Sequence, residues 1–216
     1  MTPSALLLDL DGTLVDSEPL HRESYRAFFE ARGWDAPDLS LFTGRRAEDV
    51  FAANPGPWTG HDFDALAAEV TALVADSGPP EPLPGAAELI EAAHRHGVPV
   101  AVVTSAGPAW TTRAIEGPLG AVDRIDLVVT SADVVDGKPD PTGYRLACER
   151  LGVDPAGALA VEDSPAGVRA AVAAGVGEVI GVSTTHDESE LSEAGALRVL
   201  ADLTSLATDR RFRDRR

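Results

Sequence analysis

The chain has 216 residues, 44% of them hydrophobic, and a formal charge of −17: long enough to bury a core, too acidic to hold the phosphate backbone of a nucleic acid. Its one cysteine, Cys148, excludes an intrachain disulfide, and no apolar run approaches the roughly 20 residues of a membrane-spanning helix. The segment MTPSALLLDLDG carries no basic n-region or small-residue cleavage site, so a cytoplasmic monomer without nucleic-acid or membrane partners is expected.

The first apolar run, ALLLDL at 5–10, reads as a buried strand and ends on Asp9 and Asp11, one residue apart and followed by Gly12. Two carboxylates so close repel each other; where a strand ends they suggest a metal site, a nucleophile with an acid–base partner, or both. Residues 16–82 then read as helices only: PLHRESYRAFFEARG, RRAEDVFAA and DFDALAAEVTALVADSG, closed by the proline-rich GPPEPLPG. Strand runs return at 98–104, 125–130, 158–163 and 178–182. The helices between them begin near a proline (Pro84, Pro141, Pro165) and end at a glycine (Gly97, Gly152, Gly175). This alternation predicts a doubly wound parallel α/β sheet built from residues 1–15 and 83–216, with residues 16–82 a helical insert after the first strand. Cys148 is expected to fill a core position on a helix. His94 and His96 end a surface helix. Residues 209–216, with five arginines and two aspartates, are expected to be a solvated terminus.

In such a sheet the strands' carboxyl ends share one edge, which gathers Asp9, Asp11, Thr104, Ser105, Lys138, Glu162 and Asp163. Four carboxylates in one crevice require a cation, and all-oxygen donors favour Mg²⁺. A lysine and a hydroxyl beside that ion form a cradle for a phosphoryl group, to which the backbone N–H groups around Gly12 would add donors. Thr104 and Ser105 also suit the cap of the helix that follows them.

DLDGT, VVTS, GKPDP and VEDSPAG, in this order and on strand ends, resemble the four motifs of the haloacid dehalogenase superfamily over nearly the whole chain. The insert resembles that family's small helical cap. DSEPLH and TGRRAEDV are similar to its sugar-phosphate phosphatases and β-phosphoglucomutases. The resemblance implies that Asp9 is a nucleophile forming an aspartyl-phosphate and Asp11 the general acid and base, with a raised pKa that a nearby carboxylate would supply. It implies Mg²⁺ held by the Asp9 carboxylate, the Asp11 carbonyl and Asp163, with Glu162 in support, and phosphoryl oxygens held by Thr104, Ser105, Lys138 and Gly12. The substrate implied is a small phosphorylated metabolite: a sugar or polyol phosphate to be hydrolysed, with a phosphosugar mutase or a phosphoglycolate phosphatase as alternatives.

In the insert, Arg45 is expected to reach the part of the substrate remote from phosphate and Arg46 to be a solvated helix start. Glu18 and His21 lie close to the nucleophile in sequence and are further candidates. A receiver domain, the non-enzyme alternative, shares the acidic residues, hydroxyl and lysine, but accepts phosphate on a middle strand and has no room for the insert. A halide leaving group would have no use for Asp11. A Schiff-base lysine in the insert is excluded, because residues 16–83 contain no lysine.

Overall fold

The apolar runs become strands because a hydrophobic layer covers each side of them. In the computed structural model, which describes residues 2–75 and 78–212, β1 (Leu6–Leu8) turns Leu6 and Leu8 into one layer and Leu7 into the other. After it come β2 (Val15–Asp16), α1 (Glu18–Ala31), α2 (Ala47–Ala53), α3 (Phe63–Ala75), β3 (Glu81–Pro82), α4 (Ala86–Arg95) and β4 (Val100–Val103). They are followed by α5 (Pro108–Ala114), β5 (Leu127–Val129), α6 (Thr142–Leu151), β6 (Leu159–Glu162), α7 (Pro165–Ala173), β7 (Glu178–Val182), α8 (Glu188–Ala194), β8 (Arg198–Leu200) and α9 (Thr204–Ala207).

Six strands pair in the order β5-β4-β1-β6-β7-β8, all parallel. The chain crosses from β1 to β4 on one side and later returns to β6 on the other, so the strand order reverses at β1. That reversal opens the crevice in which doubly wound sheets place their ligands. On one face Leu6, Leu8, Val100, Val102 and Val161 pack against α4, α5 and α9; on the other Leu7 with the small Ala101 and Ala160 packs against α6, α7 and α8. Cys148 is buried in the second layer, as expected.

Helices α1, α2 and α3 enclose a core of their own, rich in aromatic rings: Phe28, Phe29, Phe42, Phe51 and Trp58 pack at centroid separations of 5.2 to 6.4 Å. Such ring pairs contribute beyond their buried area. Two features of the fold differ from expectation. β2 and β3 pair antiparallel, Val15 with Pro82 and Asp16 with Glu81, where the chain leaves and re-enters the sheet body. β8 extends the sheet by a strand whose residues are exposed or half-buried, so no apolar run marks it.

The expectation of a solvated terminus is corrected for residues 209–212. Phe212 is buried in the first layer, and Arg211 is paired with Glu178 and with Asp209; residues 213–216 lie outside the described residues. No helix among the described residues is long and apolar enough to cross a membrane.

Candidate active site

The turn after β1 is set by backbone bonds. Leu10 O accepts from the N–H groups of Thr13, Leu14 and Val15, and Gly12 N–H donates to Val15 O at 2.8 Å. The N–H groups of Gly12 and Thr13 are therefore engaged inside the turn, which corrects the expectation that they serve a phosphate. Gly12 is required here for another reason: its φ is +82°, and a Cβ would run into Asp163 Oδ2.

Behind that turn Asp9, Glu162 and Asp163 offer carboxylate oxygens that all lie within 4.8 Å of one another. Lys138 Nζ donates to Asp9 Oδ1 and to Glu162 Oε1, both at 2.5 Å, and to Val103 O at 3.0 Å. Glu162 also accepts from Tyr144 Oη at 2.7 Å and from Ser164 Oγ at 3.3 Å. Asp163 Oδ2 accepts from Thr185 Oγ1. Asp9 Oδ2 and Asp163 Oδ1 are buried with no hydrogen-bond partner.

Three buried carboxylates thus face one ammonium. Burial pushes the Asp9 carboxyl up to about 7 against the pull of Lys138. Burial, with Asp9 and Glu162 as neighbours, pushes Asp163 well above the usual carboxylate range. Lys138 is held above its ordinary value, because Asp9 and Glu162 outweigh the burial that opposes its charge. Two orphaned carboxylate oxygens in an all-oxygen set fit a hard divalent cation, which would be held by Asp9 and Asp163.

Asp11 stands apart from this cluster. Its Oδ1 accepts from Ser17 Oγ at 2.6 Å and Trp110 Nε1 at 2.8 Å and lies 3.3 Å from His21 Nε2. The expectation of a carboxylate-raised Asp11 is corrected: burial does push it upward, but the hydrogen bonds from His21, Ser17 and Trp110 outweigh that and hold it below the usual range. His21 in turn is raised by Asp11 and Glu18 in spite of its burial.

A cavity of about 540 Å³ separates this floor from the helical segment, and Asp9, Asp11, Thr104, Ser105, Glu18, His21 and Arg45 all line it. Thr104 Oγ1 accepts from Ala106 N–H at 3.0 Å, which leaves the hydroxyl hydrogen available; Ser105 Oγ donates across the cavity wall to Gly44 O at 3.1 Å. Glu18 accepts from Arg22 at 2.6 Å and from Thr43 at 3.3 Å. Arg45 Nε is buried without a hydrogen-bond partner.

Arg46 corrects its expectation. It is not solvated: its side chain is 10% exposed, forks onto Asp49 at 2.7 and 2.8 Å, and reaches Val135 O at 2.8 Å on the loop that leads to Lys138. No local signal in the sequence marks Trp110, Tyr144 or Thr185. Their hydroxyl and indole groups acquire meaning only from the carboxylates they meet, and Trp110 lies 99 residues from Asp11.

The fold is that of the haloacid dehalogenase-like hydrolases, and the chain belongs to that family, whose model matches residues 3–175. It is 42% identical to validoxylamine A 7'-phosphate phosphatase of Streptomyces hygroscopicus subsp. limoneus, over 93% of this chain and 94% of that protein. It is 33% identical to hexitol phosphatase A of Escherichia coli, over 89% of each. Among solved structures, a CbbY mutant from Rhodobacter sphaeroides in complex with xylulose-(1,5)bisphosphate superposes with a TM-score of 0.80 at 30% identity, over 94% of this chain and 96% of that one.

Proposed function

We propose that this protein is a Mg²⁺-dependent phosphatase that hydrolyses a small sugar or polyol phosphate through an aspartyl-phosphate on Asp9. The observation that carries the proposal is the buried group of Asp9, Glu162 and Asp163 around Lys138, set below a cavity that also exposes Asp11. By their names two of the relatives above act on validoxylamine A 7'-phosphate and on a hexitol phosphate, which agrees with a cavity of this size.

Asp9 attacks phosphorus as the P–O bond to the alcohol breaks, and Asp11 supplies the leaving oxygen with its proton. Water then attacks the acyl phosphate, gives its proton to Asp11, and releases phosphate while the Asp9 carboxylate re-forms. The resting Asp11 is ionised, the form the second step needs; a phosphoryl dianion entering the cavity is a like charge that favours its protonated form. Thr104 holds a phosphoryl oxygen; Lys138, whose three donors meet Asp9, Glu162 and Val103 O, reaches one by exchanging a contact, with Glu162 keeping it oriented. Mg²⁺ would be held by Asp9, Asp163 and the Asp11 carbonyl and, when bound, would supply Lewis-acid charge for the phosphoryl oxygens. Arg45, with Glu18 and His21 near it, faces the rest of the substrate.

The test is hydrolysis of a panel of sugar, polyol and small acid phosphates with Mg²⁺, with a chelator, and in Asp9→Asn. Release of phosphate that stops with chelator and in the variant is expected. Turnover surviving either change, or isomerised sugar phosphate in place of free phosphate, would overturn the proposal.

A further inference from the structure

We infer that Trp110 is a positioning residue that holds the acid–base carboxylate of Asp11 through Oδ1 and leaves Oδ2 for the proton. The inference rests on the acid–base role proposed above.

Three groups converge on Asp11 Oδ1, and they are not equivalent. A serine hydroxyl can donate or accept, and a neutral imidazole nitrogen can do either by changing tautomer, but an indole N–H only donates. Trp110 Nε1, 2.8 Å from Oδ1, therefore favours an unprotonated oxygen there, the better acceptor. A proton on Asp11 is then favoured on Oδ2, the oxygen that none of the three contacts uses.

The three groups also come from different bodies of the structure. Ser17 and His21 sit where the chain enters α1, on the side of the helical segment. Trp110 projects from α5 and is 7% exposed in the layer that also holds Leu14, Ala114 and Ile115. It is thus the donor anchored in the sheet body. It also fixes His21, whose ring meets the indole edge-on at a centroid distance of 5.3 Å. A rigid donor from the body keeps Asp11 in one rotamer independently of α1, the kind of support that proton transfer at a fixed atom needs.

The experiment uses two esters of the same shape, phenyl phosphate and p-nitrophenyl phosphate. Phenolate is a poor leaving group that needs a proton, whereas p-nitrophenolate leaves as a stable anion. Trp110→Phe keeps the ring and removes the N–H. kcat/KM covers the steps through alcohol release, so Trp110→Phe should lose roughly tenfold or more on phenyl phosphate, part of the about 10² to 10⁴ that proton transfer contributes. On p-nitrophenyl phosphate the loss should stay within about twofold, since no acid is needed there. That second rate also shows that the variant is folded. In an Asp11→Asn background, Trp110→Phe should cost nothing further on either ester, because a group that acts through Asp11 has nothing left to position.

Equal losses on the two esters, no loss on either, or an additive loss in the Asp11→Asn background would overturn the inference and leave the acid–base reading standing. If Asp11→Asn itself treats the two esters alike, the acid–base reading falls and the inference with it.

Discussion

Lys138 Nζ lies 2.5 Å from Asp9 Oδ1, in a pair whose side chains are only 6% and 5% exposed. Lys138 is also the chain's only lysine. Removing one partner of a buried pair strands the other charge, and here Glu162 would be stranded as well. Lys138→Met should therefore destabilise the fold by about 3–5 kcal/mol. Saturating Mg²⁺ should restore part of the loss by supplying counter-charge to the same carboxylates. Urea unfolding of wild type and variant, with Mg²⁺ and with chelator, measures both effects; a variant as stable as wild type in chelator would refute the account of the cluster.

Thr185 lies outside every motif noted in the sequence, yet its hydroxyl donates to Asp163 Oδ2 and leaves Oδ1 bare toward the cluster. Losing a group that orients a metal ligand typically costs about 10- to 100-fold in affinity. Thr185→Val should weaken Mg²⁺ binding by that factor in calorimetric titration, while Thr185→Ser, which keeps the donor, should bind as wild type does. Equal affinity in wild type and Thr185→Val would show that Asp163 needs no such support.

The contrast between Thr185 and Asp163 shows what the sequence discloses. Strand ends and helix stops are local signals, and parallel topology alone carries Asp9, Lys138, Glu162 and Asp163 to one edge. Their convergence is therefore legible in the residue pattern itself. The groups that support them are not. Thr185, Tyr144 and Trp110 are ordinary residues until folding sets a carboxylate against them, across separations of 22, 18 and 99 residues. Arg46 misleads in part for the same reason: beside Arg45 at a helix start it reads as solvated, and although its pair with Asp49 is local, the approach of Val135 O, 89 residues on, is not. β8 escapes notice because an edge strand with exposed and half-buried residues has no apolar run.

A local pairing gives the acid stability around Asp209 a definite sign. Asp209 accepts from Arg211 Nη2 at 3.0 Å and from its N–H at 3.0 Å, and these bonds outweigh burial to hold its carboxyl below the usual range. A group with a depressed folded pKa contributes stability above its unfolded value, near pH 4, that is lost as pH falls through the lower folded value. Asp209→Asn should accordingly lower Tm at pH 7, and the gap to wild type should close progressively below about pH 4. Thermal melts of both proteins from pH 7 to pH 3 decide it: a gap that stays constant with pH would mean that the carboxylate charge contributes nothing.

Arg45 tests the link between the cavity and substrate choice. Its Nε is buried and lacks a partner, an arrangement that costs stability unless something arrives to accept from it. The neighbouring Arg46 is held by Asp49, so of the two it is Arg45 that has a donor to offer a ligand. If it donates to substrate hydroxyls or to a second anionic group, Arg45→Ala should lose about 1.5–3 kcal/mol of transition-state binding, the range for a hydrogen bond from a charged group. That loss should appear in kcat/KM for the best sugar or polyol phosphate of the panel. p-Nitrophenyl phosphate has nothing for the guanidinium to hold beyond its phosphoryl group, so its kcat/KM should barely change. Equal losses on the two substrates would place Arg45 at the phosphoryl group or in the fold of the helical segment. No loss on either would show that its buried Nε plays no part in recognition.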